Sequence, residues 1–196
     1  MPKPKRIGIF GGTFDPIHLG HLIVAQQAAE KLGLDRVVFI PAGQPPHKGG
    51  EKLSPAGDRL EMVRLAVRGH RLFSVSDIEI RSKRSSYTVN TLKALKSKYK
   101  TAGLFLLLGL DQAVLLSTWK EPQKLFDLAT VCVLSRPGFS RNKVEPRWEK
   151  MVRFLPVSQI DISATAIRDR VRRSQSIRYL MPETAARYIK HKKLYQ

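Results

Sequence analysis

Arg6-Ile7-Gly8-Ile9-Phe10-Gly11-Gly12-Thr13-Phe14-Asp15-Pro16-Ile17-His18-Leu19-Gly20-His21 is the stretch that decides the fold. Its first half is a short apolar run closing on two glycines, the form of a buried strand that stops at a turn. From Leu19 onward, Leu22, Ile23, Ala25, Ala28, Ala29 and Leu32 recur at helical spacing, and Gly33 stands where helices commonly end. The turn between strand and helix is neither a G-x-G-x-x-G fingerprint nor a Walker loop, because no G-K-[ST] follows. The physics is related nonetheless. Paired glycines let a phosphate approach the backbone, and the first N–H groups of the helix point at the same place.

His18 and His21 are three residues apart and share one face of the first helical turn. Gly20 between them is expected to leave room for a ligand. Imidazoles so placed can donate hydrogen bonds to phosphoryl oxygens as charge develops. Two bland readings compete: capping or surface histidines, and a metal site with Asp15 as third ligand. The glycine turn after a buried strand, and the lack of a nearby Cys or Glu, favour phosphate.

Outward from this unit the alternation of strand and helix continues. Arg36 to Pro41 reads as a second buried strand, followed by a Gly- and Pro-rich loop from Ala42 to Lys52. Ser54-Pro55 opens a helix with Pro at its first position. Phe73 to Ile80 alternates as a strand, and Thr88 caps the next helix. Leu104 to Leu108 is a third buried strand ending at Gly109; short helices cover Gln112 to Ser117 and Pro122 to Leu128. Thr130 to Leu134 and Arg153 to Val157 read as strands, and Ser163 and Pro182 open the last two helices. Strands that are apolar on both faces, alternating with helices, predict an α/β fold: a doubly wound parallel sheet with helices on both faces, as one domain over 1–196. In such sheets ligands bind beyond the carboxyl ends of the strands.

Composition narrows the classes. With 42% hydrophobic and 26% charged residues in 196, the chain can bury a core. Cys132 is the single cysteine, inside a buried strand, so it reads as a structural thiol in a protein without disulfides. The opening residues do not read as a signal peptide and no stretch of 18 apolar residues occurs, so a cytoplasmic protein without membrane spans is expected. The net charge of +19 suits anionic partners. A nucleic-acid binder would interleave its basic residues with aromatics along one face; no such stripe is visible, and no nucleic-acid partner is expected. Homo-oligomerisation is left open.

A second locus is Ile162-Ser163-Ala164-Thr165-Ala166-Ile167-Arg168. Ser163 can cap its helix, Thr165 lies in the first turn, and Arg168 follows one turn later on the same side. Hydroxyls and a guanidinium at a helix start suit a polyphosphate, although alone an ordinary capped helix explains them as well. Together, GGTFDPIHLGH and the distant ISATAIR resemble the HxGH nucleotidyltransferase superfamily, and more narrowly the bacterial nicotinate-nucleotide adenylyltransferases. The resemblance runs nearly end to end. It takes in Pro45-Pro46-His47-Lys48, Arg59-Leu60-Glu61-Met62, Ser86-Tyr87-Thr88, Gly109-Leu110-Asp111 with Trp119-Lys120, Leu134-Ser135-Arg136-Pro137-Gly138, and Tyr188-Ile189 with Leu194-Tyr195. Ala164 and Leu110 depart from the commoner residues without removing a needed group.

The resemblance implies a Rossmann-like sheet and transfer of AMP from ATP to nicotinate mononucleotide. Gly11, Gly12 and Thr13 would lie along the ATP phosphates. His18 and His21 would contact the α- and β-phosphates, and Ser163, Thr165 and Arg168 the β- and γ-phosphates, with His18, His21 and Arg168 catalytic. Asp111, beside Gly109, would hold a ribose hydroxyl. Thr88 and Trp119 would frame the pyridine ring, with Tyr87 and Lys120 alongside, while Lys48 and Arg136 would meet the mononucleotide phosphate or ring. Mg²⁺ would be held mainly by substrate phosphates. The rivals are another acceptor within the same superfamily, nicotinamide mononucleotide or phosphopantetheine, and, more remotely, a non-catalytic nucleic-acid-binding protein.

Overall fold

The computed structural model describes residues 5–45, 53–82 and 85–196. In chain order the elements are β1 (Arg6–Gly12), α1 (Leu19–Leu32), β2 (Arg36–Pro41), α2 (Ala56–Val67), β3 (Phe73–Val75), α3 (Ile78–Arg81), α4 (Thr88–Lys98), β4 (Gly103–Gly109), α5 (Leu110–Val114), α6 (Pro122–Leu128), β5 (Thr130–Leu134), α7 (Pro146–Glu149), β6 (Arg153–Leu155), α8 (Ala164–Arg172) and α9 (Glu183–Lys192). The six strands form one sheet in the order β3-β2-β1-β4-β5-β6, and every pairing is parallel.

Alternation of side chains sorts each strand between two cores. On one face, Phe10, Val37, Phe39, Phe105, Leu107, Cys132 and Leu134 pack with residues of α1, α2, α8 and α9. On the other, Ile7, Ile9, Val38, Ile40, Leu104, Leu106, Leu108, Val131 and Val133 pack with residues of α4 to α7. Burial on both sides is why these strands are continuous apolar runs. Cys132 is fully buried, which pushes its thiol up to about 11. Gly33 closes α1 in the left-handed conformation (φ 57°, ψ 48°), returning its N–H to the carbonyls of Ala29 and Glu30.

The chain steps outward from β1 through β2 to β3, then crosses back to place β4 against the other side of β1. The crevice therefore opens between the carboxyl ends of β1 and β4.

Four local expectations are corrected. Phe73 to Ile80 is not one strand: pairing with β2 stops at Val75, Ser76 N–H goes to the Phe39 carbonyl, and residues 78–81 turn into α3. Pro55 is the residue before α2, not its first. Thr88 is the first residue of α4, and Tyr87 takes the cap position without a side-chain cap bond. The segment Gln112 to Ser117 divides into α5, which starts at Leu110, and a 3₁₀ turn at Leu116–Thr118. The helix α7 was not anticipated; it buries Trp148, which stacks on Phe126 with ring centroids 5.5 Å apart.

Candidate active site

A cleft of about 590 Å³ opens at the carboxyl ends of the strands. The turn after β1 forms one wall. Gly11, Gly12 and Thr13 line it, and among the described residues, Gly11's chain neighbours apart, no atom lies within 4 Å of where a side chain at Gly11 would begin, so the space over that backbone is open. Phe14 adopts φ 49°, and the Asp15–Pro16 bond is cis. The turn is held from behind. Arg59 of α2, 1% exposed, donates to the carbonyls of Thr13 (2.8 Å), Gly43 (3.3 Å) and Ser54 (3.0 Å). Burial pulls its pKa below the usual arginine value, while Asp15 and Tyr195 act to raise it.

His18 and His21 line the cleft with their rings stacked, centroids 3.6 Å apart. The His18 backbone N–H donates to His21 Nδ1 (3.2 Å). In a neutral imidazole the proton of His21 is then on Nε2, available as a donor. Phe10 and Phe14 meet His21 edge-on, with Phe14 at 5.1 Å between centroids. Burial, then the Arg136 guanidinium, lowers His18 to about 4. Burial, then His18 and Arg136, holds His21 well below its ordinary value. Both are neutral near pH 7. Gly20 lines the cleft, and a Cβ there would sit 3.0 Å from His18 Nδ1, so the glycine also makes room for the imidazole. The reading of Asp15 as a metal ligand falls away. Its carboxylate accepts from Tyr195 Oη (2.6 Å) and the Ser54 N–H (3.1 Å).

The second locus faces the same cleft. Ser163 Oγ accepts from the Ala166 N–H (3.1 Å), the cap anticipated from sequence. Arg168 Nη2 donates to Thr165 Oγ1 (3.3 Å), and Nη1 donates to the Asp15 carbonyl (2.8 Å), 153 residues away in sequence. The starts of α1 and α8 are thereby joined, and Ser163, Thr165 and Arg168 line the cleft.

Beyond β4, Gly109 and Asp111 line the opposite wall with Tyr87, Thr88, Trp119, Lys120 and Arg136. Lys120 lies over the Tyr87 ring at 4.6 Å. Asp111 and Arg136, which the resemblance gives to different substrates, form one ion pair at 2.6 Å. Asp111 Oδ1 and Trp119 Nε1 are buried without a partner among the described residues. Lys48 and His47 lie outside the described residues.

Arg59, Asp15 and Glu79 were missed as site builders. Burial raises the Glu79 carboxyl, against hydrogen bonds from Thr91 and Ser86 that lower it. Thr91 Oγ1 donates to Glu79 at 2.7 Å, and Ser86 Oγ accepts from the N–H groups of Gly43 and Gln44 (3.0 and 3.2 Å). This network ties Ser86-Tyr87-Thr88 to the loop after β2.

Fold and cleft together define a nucleotidyltransferase: residues 9–170 match the cytidylyltransferase-like family model. A probable nicotinate-nucleotide adenylyltransferase of Desulfitobacterium hafniense is 44% identical over 200 residues, covering 98% of this chain and 97% of its own. One from Rubrobacter xylanophilus is 42% identical, with 97% and 92% covered. The chain belongs to this nicotinate-nucleotide adenylyltransferase family. The solved structure of the Plasmodium falciparum nicotinic acid mononucleotide adenylyltransferase complexed with NaAD shares the fold at TM-score 0.80, with 20% identity and 97% of each chain covered.

Proposed function

We propose that the chain transfers AMP from ATP to nicotinate mononucleotide in the cytoplasm, yielding nicotinic acid adenine dinucleotide and pyrophosphate. The observation that carries this reading is the joining of two helix starts, one bearing stacked imidazoles and the other a guanidinium, on one cleft through the bond from Arg168 to the Asp15 carbonyl. The 42–44% identity to family members over nearly the whole chain supports the choice of acceptor. No helix among the described residues is long and apolar enough to cross a membrane.

In this reading a phosphate oxygen of the mononucleotide bonds to the α-phosphorus of ATP as the bond to the β,γ-pyrophosphate breaks. A phosphate monoester dianion is already a nucleophile, so the protein supplies alignment and charge stabilisation. The backbone of Gly11, Gly12 and Thr13, open over Gly11, receives the phosphates. His21 Nε2–H and His18 donate to oxygens on which charge builds; as neutral groups they strengthen as the reaction proceeds. Arg168, with Thr165 and Ser163, holds the leaving pyrophosphate. Asp111, beside Gly109, takes a ribose hydroxyl, Thr88 and Trp119 frame the pyridine ring with Tyr87 and Lys120, and Arg136 and Lys48 serve the mononucleotide end.

Among the described residues no group of three His, Cys, Asp or Glu side chains converges to hold a metal. In this reading Mg²⁺ would be carried by the substrates' phosphate oxygens and water. Bound there, the ion would neutralise phosphate charge.

The test is steady-state turnover of ATP with nicotinate mononucleotide, nicotinamide mononucleotide and phosphopantetheine in turn. Dinucleotide and pyrophosphate should form fastest with the nicotinate acceptor. Faster turnover with either alternative would overturn the acceptor assignment.

A further inference from the structure

Tyr188 and Tyr195 both place a phenol on a carboxylate, yet only one of those carboxylates belongs to the cleft. Tyr188 Oη donates to Asp58 Oδ1 (2.8 Å) on α2, and neither residue lines the cleft. Tyr195 Oη donates to Asp15 Oδ1 (2.6 Å), and Asp15, 3% exposed, lines it.

To reach Asp15 the chain turns back after α9. Lys193 and Tyr195 both take left-handed backbone conformations (φ 51° and 66°), and the Leu194 N–H returns to the Ile189 carbonyl. Left-handed backbone at non-glycine residues is unfavourable and persists where the surroundings impose it. Here the return seats the Tyr195 ring near Met62, with Oη 4.0 Å from its sulfur, and its hydroxyl on Asp15. From Asp15 the contacts form a closed bracket. Asp15 accepts from the Ser54 N–H, the Ser54 carbonyl accepts from Arg59, and Arg59 donates to the Thr13 carbonyl. The Asp15 carbonyl in turn accepts from Arg168. Phe14, between the two held carbonyls, is itself left-handed at φ 49°. Burial, then the Asp15 carboxylate, pushes the Tyr195 phenol well above its ordinary range, so it remains a donor at any working pH. Tyr195 lies beyond residues 9–170, the span matched by the family model.

We propose that Tyr195 is a positioning residue for adenylyl transfer: through Asp15 it fixes the Thr13–Asp15 turn on which Arg168 is seated, and so sets how the cleft engages the triphosphate. This rests on the functional reading above.

Tyr195→Phe keeps the ring and removes the donor; Tyr188→Phe does the same to the other pair. Three quantities are read on each full-length variant: kcat and KM for both substrates, melting temperature, and hydrogen exchange at residues 13–18. Loss of one buried hydrogen bond corresponds to about fivefold. Tyr195→Phe should lower kcat/KM for ATP by about that factor, leave the KM for nicotinate mononucleotide within roughly twofold, and speed exchange at residues 13–18. Tyr188→Phe should lower the melting temperature while leaving both kinetic constants and that exchange as in the parent. Parent-like ATP kinetics in Tyr195→Phe, or an equal kinetic loss in both variants, overturns the proposal. A parent that does not adenylate nicotinate mononucleotide, with exchange still faster in Tyr195→Phe, overturns the functional reading while upholding the hold on the turn.

Discussion

Around Thr13 and Asp15 the cleft wall is held by Arg59, Arg168 and Tyr195 from three separate parts of the chain, whereas around Asp111 and Trp119 it presents buried polar atoms with no partner among the described residues. The first arrangement is a preorganised surface: its carbonyls and its carboxylate are occupied, so the turn keeps its shape as negative charge arrives. The second leaves Asp111 Oδ1 and Trp119 Nε1 to a ligand, since an unmade buried hydrogen bond costs about 1–3 kcal/mol. In the proposed reading the first surface meets the triphosphate, while the second divides between a ribose hydroxyl at Asp111 and the acceptor ring at Trp119.

The largest expected effect is at His21. His21→Ala removes a donor aimed at developing charge and should lower turnover by about 10²–10³. Single-turnover kinetics check this, and near-parental turnover would take His21 out of the chemistry. The next is a pH effect. His18 is held neutral down to about pH 4 in the folded protein, whereas an unfolded histidine protonates near 6.5. Between those values the unfolded chain binds the extra proton. The stability associated with neutral His18 is therefore complete above pH 6.5 and is lost as the pH falls toward 4, by about 3 kcal/mol. Urea denaturation of the parent and His18→Asn across that window should show a shallower pH slope in the variant; equal slopes would mean that burial does not hold the imidazole neutral. The smallest is at the acceptor end. Trp119→Phe keeps a ring and deletes the unpartnered N–H. The KM for nicotinate mononucleotide should rise about threefold to tenfold while that for ATP stays put. The opposite split would exchange the two ends.

Much of the fold was legible because β1, β2, β4 and β5 are buried on both faces and read as unbroken apolar runs, and because Gly33 and Ser163 are stop and start signals with local causes. The residues from 73 to 80 look like one strand because Phe73 and Val75, and then Ile78 and Ile80, are each spaced by two, and the break in phase between the pairs gains its meaning only once the short overlap with β2 is known. At the site, the two phosphate motifs could be found because they are contiguous in sequence. The parts that hold them could not. Asp15 and Arg59 are charged residues of a kind normally exposed, and nothing local marks them as buried. Asp15 meets Tyr195 across 180 residues and Arg168 across 153, distances that only the closed sheet bridges. At Gly20 the cleft-facing position was legible, but the second claim on its space, from the His18 ring stacked on His21, was not.

Arg168 is where the two motifs meet, so separate calorimetric titrations of ATP and of nicotinate mononucleotide into the parent and Arg168→Ala test the account most directly. ATP should bind roughly tenfold or more weakly to the variant, the loss of charge-assisted hydrogen bonds, while the mononucleotide binds as to the parent. Unchanged ATP affinity, or equal weakening of both ligands, would contradict a triphosphate held between the starts of α1 and α8.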